Sequence, residues 1–347
     1  MRSKLFILAV FFLISPNSLS YPCTVFNATK NGKRLAGNNE DNTGVNSKIR
    51  VMPASEGKYG VIYFYQNLTF PQGGMNDQGL FFDVAGCPSS QGPVIPGKPP
   101  LPWSIEHNLN LEFLQKCANV EEALELVQSY SYPFKMRTQT MFVDKTGASA
   151  IIGWINGEFK VTRKKGAYQI MTNFSVSNPE LGNFPCLRYE IASNLLNKSD
   201  VSIKSFRNIL SAVHHEGRVR TVYSNIYDLN QGLIYVYNHH DFENVVVIDM
   251  EDELKKGEHV IDFVSIFPKT FVGSLYTKEL EFESPSNKLI ILGLIFFAAI
   301  LFSVEGFTKW AIKKYHSEEL TALKVNWSDI IIKTWVLISA VLGGVVV

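Results

Sequence analysis

The stretch CTVFNATKNGKRLAGNNED, residues 23 to 41, contains two strand-like runs and begins with a cysteine. A thiol is a good nucleophile only when a neighbouring group removes its proton. None of the seven histidines has a spacing typical of cysteine proteases. If the chain were cut just before Cys23, the α-amine of that residue, whose pKa is about 8 in a free chain, would lie within reach of its sulfur. The stretch therefore predicts an N-terminal nucleophile that is released by cleavage.

The segment ahead of this cysteine resembles a secretory leader. Arg2 and Lys4 precede the apolar run LFILAVFFLI, and Ser18 and Ser20 give the small-x-small pattern of a cleavage point. We expect residues 1–20 to be a signal peptide and residues 21–22 a residual propeptide, with an uncleaved anchor as the alternative. The domain that follows would lie in the secretory pathway or the cell envelope.

Two apolar runs near the other end predict membrane helices. Residues 289–304 and 330–347 are 16 and 18 residues long, at the short edge of bilayer-spanning length. Lysines at 309, 313 and 314 place 305–329 in the cytoplasm by the positive-inside tendency, after a linker at 268–288. The second span is the weaker one, and buried core helices are the alternative for both. The expected partner is the membrane, with the main domain on its extracytoplasmic side.

Composition excludes several classes of function. The 33 basic and 32 acidic residues leave a net charge of +1, which argues against a nucleic-acid partner. Four cysteines are too few for a disulfide scaffold, although one disulfide beside a free Cys23 remains possible. The paired histidines have no ligand spacing around them, and the Gly-rich segments precede no phosphate-binding helix. No metal, cofactor or nucleotide site is predicted.

Residues 23–267 predict an α+β domain. Short strand-like runs dominate, and turns such as DKTGAS and DLNQGL join some of them into hairpins. Helical spacing appears in LNLEFLQKCANVEEALELVQSY, with a break near Asn119, and in LRYEIASNLLNKS. This order favours antiparallel sheets with segregated helices over alternating parallel units.

Five motifs in order resemble the choloylglycine hydrolase and penicillin V acylase family of N-terminal nucleophile hydrolases. They are the opening Cys-Thr with its GNNED, then GGMNDQGLFF, MTN, CLRYEIA and TVYSNIYDL. The resemblance implies a four-layer αββα sandwich over residues 23–267. It also implies hydrolysis of a linear, non-peptide amide, without a cofactor, on a small-molecule N-acyl amide substrate.

The same resemblance implies roles for individual residues. Cys23 would be the nucleophile and, through its freed amine, the base. Asp41 would hold that amine or the thiol in register. Asn173 would donate its side-chain amide to the oxyanion, together with the backbone N–H of Gly86. Arg188 would lie beside the nucleophile and tune its charge.

One departure from the family pattern is Asn38, where many members have arginine. Asn38 could raise the pKa of the Cys23 thiol, weaken the binding of an anionic group, or mark a subfamily that relies on Arg188 alone, and the sequence does not decide among these. There are two alternative functions. One is acyl transfer to an amine, and the other is a membrane-tethered binding domain in which Cys23 is never freed. A lone Cys23 is equally consistent with a small buried hydrophobe or half of a disulfide. The sequence names neither the amide nor the oligomeric state.

Overall fold

A computed structural model describes residues 23 to 274 and four isolated residues beyond them. Within that range it leaves out Val45, Asn67, Trp103, Glu106, Asn183, Pro185, Arg218 and Phe271, and the isolated residues are Gly293, Gly306, Lys309 and Trp310. The expected signal peptide and propeptide lie outside the described residues, as do the two expected spans apart from Gly293. No helix of the described part is long and apolar enough to cross a bilayer. The chain divides into two compact units, Met1–Leu280 and Glu281–Val347.

Antiparallel strands dominate the described part of the first unit. In chain order they are β1 (Thr24–Lys30), β2 (Lys33–Asn42), β3 (Ser47–Met52), β4 (Val61–Gln66), β5 (Leu68–Asn76), β6 (Phe81–Gln91), β7 (Lys135–Val143), β8 (Ser149–Ile155), β9 (Glu158–Arg163), β10 (Tyr168–Met171), β11 (Arg220–Asp228), β12 (Leu233–Asn238), β13 (Val245–Asp249) and β14 (His259–Asp262). One sheet has the order β10-β1-β2-β11-β12-β13, and the other has the order β14-β3-β4-β5-β6-β7-β8-β9.

The helices lie in short runs between groups of strands. They are α1 (Leu109–Lys116), α2 (Val120–Gln128), α3 (Leu187–Leu196), α4 (Ile203–Ala212) and α5 (Met250–Leu254), followed by a 3₁₀ turn at Phe263–Ile266. Asn119 separates α1 from α2, because its side chain accepts a hydrogen bond from the Glu122 backbone and caps the second helix. The break expected near Asn119 is confirmed.

Three apolar clusters divide the domain into four layers. The first lies between the two sheets and includes Val25, Phe64 and Tyr227. The second packs the eight-stranded sheet against α1 and α2, and the third packs the six-stranded sheet against α3 and α4. The expected α+β arrangement of antiparallel sheets with segregated helices is therefore confirmed.

The hairpin of β1 and β2 fixes the position of the chain's first described residue. Asn31 and Gly32 have φ of 52° and 76°, the left-handed values that a two-residue turn of this kind requires. Lys30 pairs with Lys33, and Thr24 pairs with Asn39. Because side chains alternate along a strand, the odd-numbered residues of β1 face the other sheet and the even-numbered ones face the helices.

Helix α4 was not predicted from the sequence. Its start carries a capping box, in which the Ser202 hydroxyl accepts from the Ser205 backbone and the Ser205 hydroxyl accepts from the Ser202 backbone. Its apolar residues Phe206, Ile209 and Leu210 recur at helical spacing and are buried against the six-stranded sheet. Both signals are present in the sequence, since a serine that opens an apolar 3.6-residue period marks a helix start.

Candidate active site

Cys23 lies immediately before β1, where the six-stranded sheet faces the eight-stranded sheet. Its side chain belongs to the apolar cluster between the sheets and is 3% exposed, yet it lines a cavity. Burial raises the pKa of its thiol well above the ordinary value, and the negative charges of Glu40 and Asp41 raise it further. The sulfur is therefore protonated at neutral pH, so an attack by it requires a group that accepts its proton.

Glu40 is the carboxylate that contacts the sulfur. The Cys23 thiol donates to Glu40 Oε2 across 3.6 Å. The hairpin register places residue 40 opposite residue 23, and Glu40 points into the space between the sheets. Burial raises the pKa of Glu40 to about 8, with a further contribution from the charge of Asp41. The sequence motifs did not single out this residue.

Asp41 points to the opposite face of β2, toward the helices. Its Oδ1 accepts from the Thr221 hydroxyl at 2.5 Å, and its Oδ2 lies 3.8 Å from Arg188 Nη1. Burial raises the pKa of Asp41 to about 7, while the Thr221 hydrogen bond and the Arg188 charge act in the other direction. Its predicted role in holding the Cys23 amine or thiol stays a prediction.

Arg188 joins the predicted residues on this face. From α3, its Nη1 donates to the Cys23 carbonyl at 2.8 Å and to the Thr24 hydroxyl at 2.7 Å. Its Nη2 donates to Asn173 Oδ1 at 2.7 Å. The guanidinium thus contacts the backbone carbonyl of the cysteine. We call Arg188, Asn173, Asp41, Thr24 and Thr221 the Arg188 network.

Asn173 and Gly86 also lie side by side. The Asn173 Nδ2 donates to the Gly86 carbonyl oxygen at 2.8 Å, and both residues line the cavity with Cys23. The amide donor predicted for the oxyanion is therefore bonded to a backbone carbonyl in this state. Their role as oxyanion donors stays a prediction, and it requires this hydrogen bond to be shared or exchanged when substrate binds.

A second group of polar side chains is buried between the sheets around Glu40. Asp83 from β6 and Tyr223 and Tyr227 from β11 all sense its charge. Burial and the neighbouring Glu40 raise the pKa of Asp83 well above its usual range. A hydrogen bond from the Val84 backbone acts in the other direction. We call Glu40, Asp83, Tyr223 and Tyr227 the inter-sheet acid group.

The cavity has a volume of about 1270 Å³. This exceeds the roughly 300–1,000 Å³ of ordinary small-molecule sites. At one side it is lined by Cys23, Glu40 and the predicted residues Gly86, Asn173 and Arg188. It continues between the eight-stranded sheet and the α1 and α2 layer, where its lining is mostly apolar and includes Phe113, Tyr132, Met136, Ile152 and Trp154.

Other chemistry-bearing residues have distinct placements. His215 lines the cavity, although no function was predicted for the histidine pairs, and burial lowers its pKa. All four cysteines are free thiols; Cys87 and Cys186 also line the cavity, whereas Cys117 is buried in the helix layer. Among the described residues, no group of three or more histidine, cysteine or acidic side chains is arranged to hold a metal ion.

The likeness to known proteins is found in the structure. No protein-family model matches the sequence, and no curated protein matches it. Penicillin V acylase from Agrobacterium tumefaciens matches with a TM-score of 0.57 and 20% identity, over 72% of this chain and 98% of the acylase. Two variants of conjugated bile acid hydrolase from Clostridium perfringens match with TM-scores of 0.54 and 0.53, both at 20% identity, over 72% of this chain and 97% of theirs. The chain therefore has the fold of penicillin V acylase and conjugated bile acid hydrolase, as its motifs predicted.

Proposed function

We propose that this protein hydrolyses linear, non-peptide amides with Cys23 as its nucleophile. The observation that carries the proposal is the position of the Cys23 thiol, which lines a large, mostly apolar cavity beside hydrogen-bonded Arg188, Asn173 and Gly86. The shared fold with an acylase and a bile acid hydrolase supports the same class of reaction. Fold alone does not define an activity, so the proposal depends on the site.

The proposed reaction proceeds through a thioester. Once the bond before Cys23 is cut, its thiol gives its proton to a neighbouring base as the sulfur attacks the amide carbonyl carbon, and Asn173 and the Gly86 backbone N–H bind the resulting oxyanion. The carbon–nitrogen bond then breaks as the leaving nitrogen takes a proton from the freed α-ammonium group. Water attacks the thioester and returns a proton to the amine, the acid leaves, and the departing sulfur recovers its proton from the base.

The cavity lining supports a substrate with an apolar acyl group. Phe113, Ile152 and Trp154 line the cavity and belong to the apolar cluster between the eight-stranded sheet and its helices. Burial of an apolar group against such walls stabilises the complex by about 25 cal/mol per Å² of area removed from water. We propose a small-molecule N-acyl amide as the substrate class, in a domain that is exported and anchored by the C-terminal runs.

Two measurements test this function. Mass spectrometry of the mature protein should find Cys23 as its first residue, and a panel of N-acyl amides should identify one that wild type cleaves and Cys23→Ala does not. Product analysis with an added amine acceptor separates hydrolysis from acyl transfer. An active wild-type protein that still carries Tyr21 and Pro22 would contradict the α-amine mechanism.

A further inference from the structure

Glu40 has a contact that the proposed reaction does not use. It is buried, lines the cavity with Cys23, and is the side chain to which the described thiol donates. The ion pairs of the described residues include none with Glu40, although the same chain places Arg188 near the adjacent Asp41. A carboxylate held against a nucleophile without a cation remains available to take a proton.

Position 38 explains why no cation accompanies this carboxylate. Asn38 and Glu40 are two residues apart on β2, so they face the same side of the sheet. Asn38 is 1% exposed, and its Oδ1 accepts no hydrogen bond from the described residues. An arginine there would face Glu40 and stabilise its charged form, whereas asparagine leaves the carboxylate with the thiol as its partner.

We propose that Glu40 is the group that accepts the Cys23 thiol proton when the sulfur attacks substrate. The assignment rests on the proposed function and divides its proton transfers between two groups. Glu40 serves the sulfur, and the freed α-amine serves the leaving nitrogen and the incoming water.

The steps balance over one cycle. The thiol proton moves to Glu40 Oε2 as the carbon–sulfur bond forms and the carbonyl electron pair moves to oxygen. The α-ammonium group then protonates the leaving nitrogen as the carbon–nitrogen bond breaks. Water gives a proton to the neutral amine as it attacks the thioester, and the departing sulfur recovers its proton from Glu40. The carboxylate, thiol and ammonium are thus regenerated.

The surroundings make the basicity of Glu40 suitable for this transfer. Burial raises the pKa of Glu40 to about 8, so the group ionises as pH approaches that value, and its carboxylate is then more basic than an exposed one. The groups that face it are the Cys23 thiol from β1, Asp83 from β6, and Tyr223 and Tyr227 from β11, with Asp41 next to it in sequence. None of these groups is a cation. A cation would stabilise the carboxylate of Glu40, lower its pKa and so make it a weaker base.

A p-nitrophenyl ester isolates the proposed transfer. p-Nitrophenolate leaves without being protonated, whereas an amide nitrogen must be protonated first. Single-turnover acylation of the mature full chain by p-nitrophenyl butanoate therefore reports on removal of the thiol proton. Peptide mass spectrometry locates the butanoyl group on Cys23 and separates it from adducts at Cys87 or Cys186.

Glu40→Gln should slow this acylation at pH 8, where Glu40 with a pKa of about 8 is partly ionised, by about 10²- to 10⁴-fold, the usual contribution of a general base. Glu40→Asp keeps a carboxylate one methylene farther away and should restore part of the rate. Glu158→Gln is the control, because it neutralises an exposed carboxylate that does not line the cavity, and its acylation should stay close to that of wild type. Circular dichroism establishes that each variant is folded.

The opposite sign would overturn the assignment. If Glu40 were only a negative neighbour, its removal would lower the thiol pKa, and Glu40→Gln would be acylated at least as fast as wild type. That result, with the adduct still on Cys23, would reject Glu40 and leave the proposed function intact. If wild type forms no adduct at Cys23, the proposed function fails and the Glu40 assignment fails with it.

Discussion

The two faces of the β1–β2 hairpin provide opposite surroundings for the same cysteine. On the helix side, the Arg188 network joins a guanidinium, an amide, a carboxylate and two hydroxyls through hydrogen bonds of 2.5 to 2.8 Å. On the other side, the inter-sheet acid group buries two carboxyls, Glu40 and Asp83, near two tyrosines. Burial raises carboxyl pKa values on both faces, but only the helix side includes a cation that opposes the shift.

Neighbouring carboxylates on one strand need not have the same role. Glu40 and Asp41 are consecutive, yet strand alternation sends one to the sulfur and the other to Arg188 and Thr221. A charged-group network with a cation is suited to hold geometry and bind a developing negative charge. A carboxylate without a cation is suited to exchange a proton.

The largest effect should come from the residue between the two faces. Cys23→Ala removes the nucleophile and only one small side chain, so we expect a folded protein with no measurable amidase activity. The measurement is hydrolysis of the amide found in the panel, with Cys117→Ala as the control, because it removes a buried thiol away from the cavity. If Cys23→Ala kept its activity, Cys23 would not be the nucleophile, and neither face of the hairpin would surround a catalytic residue.

The next largest effect should fall on the helix side. Asn173→Ala removes the amide donor, and loss of one oxyanion donor lowers kcat by about 10²- to 10³-fold with little change in KM. The measurement is steady-state kinetics on the same amide. Since Asn173 also accepts from Arg188, Asn173→Asp is a useful companion: it keeps that acceptor but loses the donor, and should be impaired to a similar extent. A loss confined to KM would make Asn173 a binding residue instead.

The sequence motifs predicted the helix side well. Cys23, Asp41, Asn173, Arg188 and Gly86 come from four separate segments, and the fold brings them to one cavity or its immediate surroundings. Their common location follows from the resemblance, which supplies long-range order that local periodicity lacks. The roles assigned to them stay predictions.

The sequence analysis missed the other face for a physical reason. Motif matching identifies residues by type and order, whereas the face of a strand depends on register. The Asn31–Gly32 turn contained that information, because pairing Lys30 with Lys33 places residue 23 opposite residue 40. Asp83 had no such signal: it lies on another sheet, and its proximity to Glu40 is a matter of tertiary packing.

A smaller effect should follow from Asp41→Asn. The amide keeps an oxygen for the Thr221 hydroxyl but removes the charge that faces Arg188, so kcat/KM should fall by about tenfold, or about 1.4 kcal/mol. The cleavage that removes residues 21–22 should also become slower, and mass spectrometry measures its rate. Thr221→Val is the control, since it keeps the carboxylate and removes its donor, together with the acceptor of the His215 backbone N–H. If Asp41→Asn were as damaging as Glu40→Gln in ester acylation, the proposed division between the faces would be wrong.

The smallest expected effect is on the free energy of unfolding, whose dependence on pH should differ between the carboxyls of the two faces. A carboxyl whose pKa is raised on folding binds its proton more tightly when folded, so its stabilising contribution is complete below the unfolded pKa and is lost as pH rises to the folded pKa. For Asp41 this loss should end near pH 7, and for Glu40 it should continue to about pH 8. The slope for one such group is at most about 1.4 kcal/mol per pH unit. Urea unfolding between pH 5 and pH 9 measures it.

The variants separate the two contributions within that range. Asp41→Asn should flatten the decline below pH 7 and leave the part between pH 7 and 8, whereas Glu40→Gln should reduce the upper part, because Glu40 still exchanges a proton there and Asp41 no longer does. Glu158→Gln, a change at an exposed carboxylate, should leave the whole profile unchanged. If wild-type stability instead rose from pH 5 to pH 8, both carboxyls would be ionised in the folded protein at low pH. Glu40 would then be too weak a base for the thiol, even though its contact with the sulfur remained.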